Sequence, residues 1–165
     1  MRVFDIHTHP ILRREGCGRD AVRRLIRESR ALGITGMNIL GDVAHNGPCQ
    51  TAEQVTDINE ESARLQKEYP DFFTFFCYLN PTLGEKAVMS EVERCVALHG
   101  ARGIKLEAAN HAADPCMRHV AKAARTFDIV VLQHSWSTDT NNLKRAPKCR
   151  PIPNTLPSSP DAIPT

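Results

Sequence analysis

The chain has 165 residues, 41% of them hydrophobic, and a formal net charge of +2. That length is one domain, large enough to bury a core; the charge is too mild to demand nucleic acid or an acidic partner, and the Lys and Arg residues are scattered without interleaved aromatics. No stretch approaches the ~20 consecutive apolar residues of a membrane helix, and no apolar signal core precedes Asp5, so the expected compartment is the cytoplasm.

Residues 2–7 (RVFDIH) predict a short first strand. Residues 20–32 predict a helix, with Val22, Leu25, Ile26 and Leu32 near helical spacing, Asp20 as N-cap and Gly33 as its stop. Residues 34–40 (ITGMNIL) form the second predicted strand. A long polar helix follows over 51–69, where Thr51 and Gln54 can make a capping box and Pro70 ends the run. The third strand, 72–79 (FFTFFCYL), is apolar on both faces, as a buried parallel strand should be. Residues 84–100 are a third helix stopped by Gly100, 101–108 (ARGIKLEA) a fourth strand, and 114–126 a fourth helix opened by Asp114 and Pro115. Residues 128–136 (DIVVLQHSW) make a fifth strand.

Four βα units and a fifth strand argue an α/β fold with a parallel sheet and crossover helices. An open doubly wound sheet and part of an eight-stranded (β/α)8 TIM barrel both fit. No GxGxxG or P-loop follows a strand, so a nucleotide-binding open sheet has no local support. From residue 137 the pattern changes: 137–165 holds six of the eleven prolines and no regular period, which predicts an irregular, disordered tail behind a domain spanning 1–136. The six cysteines contain no CxxC pair and read as reduced thiols, Cys77 and Cys95 as small buried hydrophobes; their spacing gives no support to a cysteine metal site.

Alternate residues of a strand share a face. His7 and His9 therefore point the same way, with Asp5 below them, at the C-terminal end of the first strand, the edge where α/β sheets bind ligands. Taken alone, an HxH pair reads as two polar residues in a strand-to-loop turn. Set directly behind an apolar strand at the chain start, it reads as a grip on one divalent ion. His134 sits at the same end of the fifth strand and supplies a third imidazole, a set zinc accepts with one position left open. On the fourth strand Lys105 and Glu107 share a face: Glu107 as a ligand or an orienting group, Lys105 as its ion-pair partner or the carrier of a metal-bridging carbamate, or the two as a plain neighbour pair. Asp42 and His45 lie in the loop on the same edge and read as loop polars or substrate contacts; His99, His111 and His119 read as surface residues, and Trp136 as packing or as a wall of the substrate mouth.

The pieces FDIHTHP, ARGIKLEA and VVLQHSW, in that order and over about residues 1–140, resemble the amidohydrolase superfamily, specifically its amidohydrolase-related group of metal-dependent TIM-barrel hydrolases. The resemblance implies His7, His9 and His134 as ligands of a divalent metal, zinc by preference, that activates water for attack on a C–N or C–O bond of a small-molecule substrate, or serves a related decarboxylation or hydration. Lys105 sits near where some relatives carry a carboxylated lysine, and Glu107 where other members have different residues. The resemblance also exposes a departure. The family's barrel has eight strands and this chain supplies five, without the strand-six histidine and the strand-eight aspartate, the usual general base. The expectation is a truncated hydrolase, weak or inactive, whose open sheet edges invite self-association. A two-base shift of the tail, with G or C at wobble positions, decodes CRPIPNTLPSSPDAIPT as a capped helical segment such as DPEHVAVVARRHPD, so a shifted reading frame near residues 144–148 is expected. The competing expectations are a non-catalytic α/β module that binds metal or a partner, and two chains assembled into a pseudo-barrel.

Overall fold

Among the described residues the alternating pattern becomes six short parallel strands and four helices in chain order. The structure is a computed structural model and describes residues 2–9, 18–41, 49–107 and 112–134. The first strand is β1 (Val3–Thr8), followed by α1 (Arg19–Ala31), β2 (Ile34–Ile39) and α2 (Ala52–Glu68). Then come β3 (Phe73–Phe75), β4 (Cys77–Leu79), a single 3₁₀ turn over Pro81–Leu83, α3 (Glu85–His99), β5 (Gly103–Leu106), α4 (Met117–Phe127) and β6 (Val130–Gln133). No helix among the described residues is long and apolar enough to cross a membrane. Asp42, His45, His111, Trp136 and the tail over 137–165 lie outside the described residues.

Local chemistry explains most boundaries. Thr51 and Gln54 make the full capping box at the start of α2, Thr51 Oγ1 accepting from Gln54 N–H and Gln54 Oε1 from Thr51 N–H. Gly100 closes α3 in the left-handed region, φ 69°, where a Cβ would be strained. Two expectations are corrected. Gly18, not Asp20, stands at the N-cap of α1, and Asp20 lies in the first turn, where its charge faces the positive end of the helix dipole. The fourth helix starts at Met117, because Asp114 and Pro115 fold into a tight lead-in turn whose carbonyls accept from Met117 and Arg118.

The third predicted strand is continuous in sequence but broken at Phe76. β3 pairs with β2 and β4 with β5, giving two three-stranded parallel sheets, β1-β2-β3 and β4-β5-β6. Backbone bonds stitch the break: Phe76 N–H donates to Ile39 C=O, and Arg102 N–H to Phe75 C=O, each at 3.0 Å. The Phe76 ring lies over Gly103, where an added Cβ would sit 2.9 Å from it, so only glycine lets β5 pass.

One apolar cluster runs through the fold. It takes Val22 and Ile26 from α1, Leu65 from α2, Val88 and Val92 from α3, Val120 from α4, and Ile39, Phe75, Ile104 and Leu106 from the strands. The fold is a partial (β/α)8 barrel with α/β order, one of the two architectures that the alternation allows and the one that the resemblance implies.

Candidate metal centre

The site is built at the C-terminal ends of the outermost strands. Between Asp5 and Thr8, β1 advances three residues while β2 advances two, Met37 to Ile39, so β1 carries an extra residue in the stretch that holds His7. Such bulges re-aim side chains near binding sites. Asp5 Oδ1 accepts the His7 backbone N–H at 3.0 Å and so holds the irregular stretch.

His9 is oriented from the neighbouring strand. Its Nδ1 lies 2.6 Å from the carbonyl oxygen of Gly41. A carbonyl only accepts, so Nδ1 carries the proton and Nε2 keeps its lone pair, the tautomer a metal ligand needs. Gly41 turns the end of β2 at φ 71°, and a Cβ there would meet Ile58 Cγ2 at 2.6 Å. His134 follows β6, and its N–H extends the ladder by donating to Leu106 C=O at 2.9 Å.

These three backbones bring three rings together. The His7 ring centroid is 5.2 Å from that of His9 and 5.7 Å from that of His134, both pairs edge-on. The pKa of His7 is lowered below 6.5 by burial first, then by the Lys105 ammonium and the neighbouring imidazoles, against an opposing pull from Glu107. The ring is therefore neutral at pH 7, as metal ligation requires. Among the described residues, one group alone brings three ligand atoms within 4.8 Å of one another, and it lies elsewhere: Cys77, Glu91 and Cys95. The imidazoles stand further apart than that, so a shared ion requires the rings to draw inward.

Lys105 is fully buried; its Nζ donates to Leu106 C=O at 3.0 Å and pairs with Glu107 Oε1 at 3.2 Å. Of the alternatives for this pair, the ion pair is the geometry found. Tyr78 occupies the same register level as Lys105 on the adjacent strand. Its hydroxyl donates to Gln50 Oε1 at 2.7 Å, while Asn80 Nδ2 donates to the Gln50 C=O at 2.8 Å. Burial, with a smaller contribution from Glu107, raises the pKa of Tyr78, so its proton stays in place.

Several participants escape a sequence reading. Gly41 acts through its carbonyl, and Gln50, Tyr78 and Asn80 through a buried chain of bonds that joins two segments. Asn59 has a visible signal, since it falls on the apolar stripe of α2 beside Val55, Ile58 and Ala63. His99 and His119, expected on the surface, are partly buried beside Glu60 at 3.2 Å and Glu85 at 3.5 Å. Cys49 is disulfide-bonded, which corrects the expectation of six reduced thiols, while Cys77, Cys95 and Cys116 are free.

Comparison of the fold with solved structures decides the architecture. A Staphylococcus aureus protein assigned as an amidohydrolase superposes with a TM-score of 0.69 at 15% identity, over 87% of this chain and 50% of that one. The 2,6-dihydroxybenzoate decarboxylase from Rhizobium gives 0.64 at 17% identity, over 89% and 55%. The chain shares the fold of these two solved structures over most of its length. A third solved structure, the 5-carboxyvanillate decarboxylase of Novosphingobium aromaticivorans with bound manganese and a substituted nitrobenzoic acid, gives 0.62 at 16% identity, over 79% and 43%. The chain thus spans about half the length of these solved relatives. No family model and no curated protein matches the sequence.

Proposed function

We propose that the protein is an enzyme of amidohydrolase type by lineage, with His7, His9 and His134 as imidazole ligands of one divalent cation and a small molecule as substrate. The observation that carries this reading is the convergence of the three rings at one rim, His7 lying 5.2 Å from His9 and 5.7 Å from His134. The donor chemistry fits: His9 keeps Nε2 free through its bond to Gly41, and His7 is held neutral. An ion bound there would lower the pKa of a ligated water toward ~7 and polarise a carbonyl or carboxylate, chemistry that serves hydrolysis or decarboxylation. Zinc is the proposed ion, since it accepts three imidazoles and an open position; manganese in one solved relative makes that ion the alternative.

Turnover by this chain is proposed to be weak or nil. Of the carboxylates on the site's strands, Asp5 is turned to the His7 backbone and Glu107 is paired with Lys105, so neither stands as a general base. Metal analysis of the purified chain tests the reading. One equivalent with nitrogen neighbours by X-ray absorption is expected, with affinity reduced at least tenfold in His7→Ala, His9→Ala and His134→Ala. Undiminished occupancy in all three variants overturns the ligand assignment, and robust metal-dependent turnover overturns the proposed weakness.

A second reading, a non-catalytic module that pairs with another copy of itself, is favoured by one observation. The outermost strands expose large apolar side chains, Phe4 and Ile6 on β1 at 50% each and Val130 on β6 at 62%.

A further inference from the structure

On the far side of β4 from Lys105, a second group of metal-ligating atoms is packed between β4, α2 and α3. Cys77, Glu91 and Cys95 each offer one ligand atom, and the three atoms lie within 4.8 Å of one another. Both cysteines are fully buried. We propose that Cys77, Glu91 and Cys95 form a binding site for a thiophilic divalent cation of the zinc type, separate from the histidine rim.

The spacing supports this quantitatively. A tetrahedral zinc with bonds of about 2.3 Å to sulfur and about 2.1 Å to oxygen sets S and O about 3.6 Å apart. Cys95 Sγ and Glu91 Oε1 are 3.6 Å apart, the cysteine S–H donating to the carboxylate. The ion would take the place of that thiol proton. Cys95 Sγ also has an N–H donor from outside the ligand set, Arg94 Nη2 at 3.9 Å. A donor of this kind stabilises a metal-bound thiolate.

Binding one M²⁺ releases two protons, one from each thiol, and forms two M–S bonds and one M–O bond with no change of oxidation state. Two thiolates and the Glu91 carboxylate bring −3 against the ion's +2, and the Arg94 guanidinium, on Glu91 Oε1 at 2.6 Å and Oε2 at 3.0 Å and shared with Glu60, offsets the excess. Asn59 Nδ2 and Thr56 Oγ1 hold the same carboxylate from α2, at 2.7 and 3.3 Å. A cavity of about 180 Å³ lined by Thr56, Leu79, Asn80, Val88 and Glu91 lies against this carboxylate. Of the three ligand residues Glu91 lines it, so the cavity reaches the group from the carboxylate side.

The experiment titrates the reduced full chain carrying His7→Ala and His9→Ala with Co²⁺. One equivalent is expected to bind with a sulfur-to-cobalt charge-transfer band and to release two protons. The band should fall at least tenfold in Cys77→Ala and Cys95→Ala and persist in Cys116→Ala. Glu91→Gln, which keeps the size of the side chain, should weaken binding about tenfold, with circular dichroism confirming the fold. The parent chain alone decides the first point, since histidine ligands give no sulfur band. Absence of the band, a band that survives both cysteine changes, or a Cys77–Cys95 disulfide recovered from the native protein each overturns the proposal.

Discussion

His7 is surrounded by groups that oppose its charge. Burial acts first, then Lys105, His9 and His134, and Glu107 opposes them without reversing the result. The folded protein therefore takes up this proton at a lower pH than the unfolded chain, which protonates near 6.5. The stability contribution is complete above about pH 6.5 and is lost as pH falls through the lowered folded value. The metal-free protein should lose Tm modestly between about pH 7 and 5, and His7→Gln should flatten that slope in thermal melts. An identical slope in the variant contradicts the account. The meeting of the His7, His9 and His134 rings is legible in the sequence because strand ends in an α/β fold share one rim. The extra residue in β1 and the Gly41 carbonyl are not, because backbone groups leave no mark in residue type.

At the scale of elements, α2 does more than cover the sheet. Because the third strand breaks at Phe76, Tyr78 in β4 has no strand beside it on the β2 side. Asn59 of α2 takes that place: its Oδ1 accepts the Tyr78 N–H at 2.7 Å and its Nδ2 donates to the Tyr78 C=O at 3.0 Å. Asn59→Ala removes both amide bonds, leaving the Tyr78 C=O only the weak Cys77 S–H donor, and should cost roughly 3 kcal/mol in denaturant unfolding; a loss under about 1 kcal/mol would mean that water replaces the amide. The capping box of α2 and the stop of α3 were readable because each is a local pattern of two or three residues. The break at Phe76 was not, since FFTFFCYL carries no breaker residue and the glycine that the Phe76 ring lies over, Gly103, comes 27 residues further on.

At the scale of the molecule, β1 and β6 each have one free edge among the described strands and carry Phe4, Ile6, Val130 and Val131 in solvent. Ile6→Lys combined with Val131→Lys should shift the light-scattering mass toward the monomer; a monodisperse monomer in the parent chain would remove the self-pairing reading. The alternation of helix and strand gave the parallel α/β order from sequence alone, because each βα unit is a local signal, and left the open sheet and the barrel equal. The curl of the wall does not show there, because it depends on how the two sheets meet.

That meeting has a consequence for the rim. His7 and His9 ride on one sheet and His134 on the other, at the two far ends of the strand order. A cation gripped by all three would act as a clasp across the curl, tying the first strand to the last and adding its binding energy to the resistance of the seam at Phe76 against opening.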